Sequence, residues 1–138
     1  CELLDSPLLG PCFAAGVPAV ERAIAPLVTA IARPLIRRGF RITADTARRS
    51  LERVSEVFAA LDDKLADGRP YLVGDAFGAA DITFAALAAP VLLPEGYGGT
   101  LPAVDAVPAT MRAEVERFRV TRAGQHALAM YARHRHAR

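Results

Sequence analysis

The passage Tyr71-Leu72-Val73-Gly74-Asp75-Ala76-Phe77-Gly78-Ala79-Ala80-Asp81-Ile82-Thr83, with the apolar run that follows it to Leu93, constrains this chain more than any other stretch. Gly74-Asp75 is a turn signal. Gly78 is an acceptable helix N-cap, which places Asp81 at N3. There its carboxylate reaches back to the N-cap amide and meets the positive end of the helix dipole. Phe77 and Ile82 fall at N′ and N4, the two positions of a hydrophobic staple. A glycine cap has no side-chain acceptor, so only half of the reciprocal capping box can form, at a cost of about a few tenths of a kcal/mol. Phe84 to Leu93 is apolar on nearly all sides, which predicts a central buried helix.

The rest of the chain reads as helix and loop. From Thr43 to Leu65, Ala47, Leu51, Val54, Phe58, Leu61 and Leu65 step by fours and threes and form one apolar stripe, widened by Val57. Charged residues fill the other face, with Arg48 and Glu52 spaced for an i,i+4 pair. Val17 to Arg38 is a further helical candidate, with Val20, Ile24, Leu27, Val28, Ile31, Leu35 and Ile36 on its apolar side. Pro18 suits its first turn. Pro26 and Pro34 are expected to kink or break it, because proline lacks an N–H and crowds the preceding turn. The apolar surface of this segment exceeds what a small core needs to cover it. Pro94 to Val107 is a glycine- and proline-rich loop. Pro108 opens a helix that places Met111, Val115 and Phe118 on one side, and a last helix runs from Thr121 to Arg135 with a break near 121–124. No alternating strand segment stands out. The fold class is therefore all-α, a bundle of about five or six helices.

Composition closes off several functions. A net charge of +2 spread over 138 residues is too small to argue for nucleic acid. The longest apolar run is shorter than the roughly 20 residues of a membrane helix, and Pro90 interrupts it. Two cysteines, Cys1 and Cys12, are too few for a disulfide scaffold and fit a reducing compartment. The chain starts with Cys, which raises the expectation of a longer parent protein. No signal-peptide pattern is visible.

Pro-Tyr-Leu-Val-Gly-Asp, then an aromatic, then Ala-Asp-Ile-Thr, resembles the start of the core helix in the C-terminal domain of cytosolic glutathione transferases. The likeness is specific from Gly68 to Leu93 and looser from Thr43 to Tyr131. That family usually caps this helix with Ser or Thr, where Gly78 stands here. The resemblance implies an orthogonal helical bundle and an enzyme when the protein is intact. Glutathione would be the co-substrate, bound mainly by a thioredoxin-like N-terminal domain that also supplies the Ser, Tyr or Cys activating its thiol. It also implies a cytoplasmic homodimer acting on a small hydrophobic electrophile. Alternatives within the same fold are a non-catalytic protein-interaction module and a glutathione-dependent isomerase or dehalogenase. No βαβ pattern hosts a glutathione site in this chain. Val17-Pro18 superficially matches the Val-Pro of the missing domain, but its neighbours have helical spacing.

No catalytic residue is assigned. The resemblance puts the electrophile cleft between the two domains, lined by the first long helix and by residues after the core helix. Tyr97, in Pro-Glu-Gly-Tyr-Gly-Gly, stands at the second place, and Phe13 and Arg22 lie near the first. Cys12 has no histidine placed beside it to lower its pKa and reads as packing or loop. His134-Arg135-His136 offers two metal ligands in what reads as a solvated basic tail, too few to define a site. His126 is given no role.

Overall fold

The structure, a computed structural model, describes residues 18–135, the side chains of 19–22 excepted. Among these residues there are five helices and no strand: α1 (Ala19–Gly39), α2 (Ala44–Lys64), α3 (Ala79–Leu92), α4 (Ala109–Arg119) and α5 (Arg122–His134). The fold class is all-α, as the periodicity predicts.

Helix α2 begins at Thr43, whose hydroxyl accepts the Thr46 N–H at 3.1 Å while the Thr46 hydroxyl accepts the Thr43 N–H at 2.8 Å. Its stripe turns inward, with Phe58 and the capping residue Leu65 buried and Leu51, Val54 and Leu61 half-buried. Val57 does not widen the buried stripe; it is 48% exposed. Arg48 turns to Asp45 at 3.4 Å instead of to Glu52, so the pair is i,i+3.

The core lies where α2, α3, α4 and α5 meet. Phe58 of α2 packs its ring edge-on to Phe84 of α3, with centroids 5.4 Å apart, and against Phe118 of α4 at 4.6 Å. Burying a side chain of this size contributes about 1.5–3 kcal/mol. Ala85 and Ala88 of α3 join Ala123 and Ala127 of α5 in the same cluster, with Leu92 and Met130. Small side chains on both helices let their axes approach closely. A second cluster of Leu93, Val107 and Val115 holds the loop after α3 against α4.

The α4–α5 corner is tight. Thr121 caps α5 by accepting the Gly124 N–H at 3.0 Å, and its hydroxyl donates to the Phe118 carbonyl at 2.9 Å. A Cβ at Gly124 would collide with that same carbonyl oxygen, so glycine is what lets the corner close. The next free donor of α5, the Ala123 N–H, is taken at 2.6 Å by Asp62 near the end of α2. One carboxylate thus caps a helix 61 residues further along the chain.

Two expectations need correction. Helix α1 runs unbroken through Pro26 and Pro34. Both prolines are exposed, so the carbonyls deprived of an amide partner are met by solvent and not by a dry interior. Helix α3 is not buried on all sides. Asp81, Ala85, Ala88, Ala89 and Leu92 face the core, but Leu87 is 75% exposed and Ile82 54%. The reason is that only α4, α5 and the Phe58 edge of α2 pack on it, and α1 has no extensive contact with any other helix.

Candidate functional site

Asp81 is fully buried at the first turn of α3. Its Oδ2 accepts the Gly78 N–H at 3.1 Å, which is the half of the capping box open to a glycine cap. Its Oδ1 accepts the Leu72 N–H at 2.9 Å and lies 2.8 Å from Nε2 of His126 on α5. Burial alone would raise the carboxyl pKa, but the amides of Leu72 and Gly78 and the His126 ring together hold it below the usual carboxylate range. The node is closed on every side, which makes it a structural anchor. Phe77, the staple residue, lies with Ile82 on the wall of a cavity at this end of the helix. Its ring stacks on His134, with centroids 4.0 Å apart and planes 9° from parallel.

The other end of α3 is built differently. Leu93 takes a left-handed conformation with φ 47°, ending the helix without a glycine. The Arg119 guanidinium donates to the carbonyls of Leu92 at 2.8 Å and Leu93 at 2.7 Å. A cation at the negative end of the helix dipole satisfies two of the carbonyls left open there. The loop from Pro94 then folds over a cavity of about 580 Å³ lined by Leu93, Tyr97, Leu101, Val104 and Arg119. A neighbouring cavity of about 500 Å³ lies between Pro94 to Gly96, Arg119 and Tyr131. The Tyr97 and Tyr131 rings are 6.4 Å apart, which ties the loop to α5. Burial raises the Tyr131 pKa, nearby Tyr97 raises it further and Arg135 partly offsets this. The Tyr131 hydroxyl donates to the Ala85 carbonyl at 3.3 Å.

Tyr97 is therefore on a cavity wall at 38% exposure, and it is also a tether of its loop. Phe13 and Cys12 lie outside the described residues, as do Cys1, Val17 and His136. Arg22 falls in the first turn of α1, and its side chain is likewise outside the description. His134 and Arg135 are not a tail. His134 ends α5 and stacks on Phe77, while the Arg135 guanidinium lies against Gly98 of the loop. Sequence reasoning missed His126. The signal was present: residues 123, 126, 127 and 130 share one face of α5 and put His126 in line with buried apolar positions.

Among the described residues no group of three His, Cys, Asp or Glu side chains could hold a metal ion. No described helix is long and apolar enough to cross a membrane. A family model for the glutathione S-transferase C-terminal domain matches residues 24–112, well over half of the chain. No curated protein and no solved structure matches the chain significantly.

Proposed function

The chain belongs to the glutathione S-transferase C-terminal domain family, and on that premise we propose that it is the electrophile-binding half of a glutathione transferase-like protein. The observation that carries this reading is the Tyr97 cavity beyond the C-terminal end of α3. Leu93, Leu101 and Val104 give it an apolar wall, and Tyr97 adds an aromatic ring with a hydroxyl, a combination suited to a small hydrophobic substrate. Arg119, fixed on two backbone carbonyls, keeps the loop and hence Tyr97 in place. In this division of labour glutathione is the co-substrate, and its thiol is activated by a residue of a thioredoxin-like domain. The described residues contain no strand on which such a site is built. This chain contributes rate by holding the electrophile at the right distance and angle. The protein is placed in the cytoplasm and acts as a homodimer in this reading.

The test is a pair of measurements on the purified chain. Titration of 1-chloro-2,4-dinitrobenzene is expected to shift the resonances of Tyr97 and Leu101, and adding glutathione is expected to give no thioether above the uncatalysed rate. Unmoved Tyr97-loop resonances, or turnover by the chain alone, would overturn the proposal. Peptide sequencing of the protein purified from its source then tests the pairing with an upstream thioredoxin-like domain.

A second reading, a non-catalytic interaction module, is favoured by a different observation. Ile24, Leu27, Val28, Ile31 and Leu35 are each more than half exposed along one side of α1. Apolar side chains so placed in a row mark a surface that another protein covers. Light scattering that shows a strict monomer, with no partner retained, counts against it.

A further inference from the structure

The cavity beside the first turns of α3 lies at the opposite end of that helix from the Tyr97 loop. It holds about 270 Å³, with Phe77, Ile82, Ala86 and Met130 on its apolar wall, and His134 and Arg135 line it as well. Its volume lies between the about 150 Å³ of an apolar cavity that accepts benzene and the about 300 Å³ at the lower end of ligand pockets. One or two fused rings fit such a space.

Its polar lining is one-sided. His134 is fixed by its stack on Phe77 and by Tyr71, whose ring centroid is 6.0 Å away. Held in that way, its Nε2 is buried and has no hydrogen-bond partner among the described residues. Buried polar atoms of native proteins are nearly always paired, so an unpaired one asks for an unseen partner. Arg135 brings a guanidinium, and none of the residues lining the cavity is acidic. A guanidinium and a ring N–H both donate, and the group that accepts from both is an anion with planar oxygens.

From this juxtaposition we propose that the cavity is a binding site for a small aromatic carboxylate. The ring inserts among Phe77, Ile82, Ala86 and Met130. The carboxylate accepts from His134 Nε2–H and from the Arg135 guanidinium. A neutral ring of the same size fills the apolar part and leaves both donors without an acceptor. The site is separate from the electrophile wall proposed above and does not depend on it.

Naphthoate titrated into the full chain, followed by calorimetry at neutral pH, tests this. Saturable binding to a single site is expected, weaker by at least about tenfold for the neutral naphthamide. Ala86 is exposed, so Ala86→Phe fills the cavity without touching the core and is expected to weaken naphthoate binding at least about tenfold. His134→Phe keeps the stack on Phe77 and removes the nitrogens, and Arg135→Gln removes the charge at an exposed position; each is expected to weaken naphthoate more than naphthamide. Unchanged circular dichroism establishes that each variant is folded. No saturable binding to the wild-type chain, or equal affinity in Ala86→Phe and wild type, overturns the site. Equal affinity for naphthoate and naphthamide overturns the carboxylate assignment.

Discussion

Nε2 of His126 lies 2.8 Å from Oδ1 of Asp81, joining the first turn of α3 to the inward face of α5 across 45 residues of sequence. Asp81 also accepts the Leu72 and Gly78 amides, so the same carboxylate orients the loop that leads into α3. Removing it leaves buried donors without an acceptor. Asp81→Ala is expected to destabilise the fold by about 3–5 kcal/mol, and Asp81→Asn by less, since its carboxamide oxygen still accepts. Urea denaturation followed by tyrosine fluorescence measures both; a loss below about 1 kcal/mol for Asp81→Ala would show the node to be dispensable.

The same node predicts the acid limb of the stability curve. Asp81 holds its proton less tightly in the folded chain than in the unfolded one, where a carboxyl titrates near about 3.9. Its contribution is complete above that unfolded value and is lost as pH falls through the lower folded value. Asp67, drawn down to about 2 by Arg69, has the same sign but is fully exposed and screened by solvent. The urea midpoint is expected to fall below about pH 4, and to fall less steeply in Asp81→Asn. Identical acid limbs in the two proteins would contradict the assignment.

Gly124 leaves no room for a side chain, because a Cβ would meet the Phe118 carbonyl that closes the α4–α5 corner. Gly124→Ala is expected to cost about 2–4 kcal/mol, despite the higher helix propensity of alanine. Denaturant midpoints settle the sign: a stabilised variant would mean that the corner opens freely.

Asp62 and Thr121 cap the same helix through different amides, those of Ala123 and Gly124. Each alanine variant is expected to lose about 1 kcal/mol, with the two losses close to additive. A double mutant no worse than either single one would show that the two caps are redundant.

The exposed row on α1 gives a prediction of the opposite kind. Leu27→Glu combined with Leu35→Glu is expected to change the stability of the bundle by less than about 0.5 kcal/mol, because neither residue packs in it. It is expected to reduce any self-association seen by light scattering. Retained association with both charges in place would move the interface elsewhere.

What could be read from the sequence was whatever depends on near neighbours. The α2 stripe, the Asp81 reach to Gly78 and the Thr121 break all follow from spacings of a few residues. The partner of Asp81 did not, since His126 is brought to it by the packing of α5 on α3 and by nothing local. His134 read as part of a tail for the same reason: its stack on Phe77 exists only once α5 and the loop before α3 have met. The apolar run of α3 gave its burial too generously, because composition cannot say how many neighbours a helix has. Tyr97 was placed by its glycine-rich loop, while the tether to Tyr131 needed the fold.

Helix α1 shares little packing with the other four, and its two prolines each withhold an amide from its ladder. All three tyrosines, Tyr71, Tyr97 and Tyr131, belong to the remaining bundle. An optical melt of this chain therefore reports the bundle alone, whereas the amides of α1 exchange with deuterated solvent through openings of their own, at a free energy below that of global unfolding.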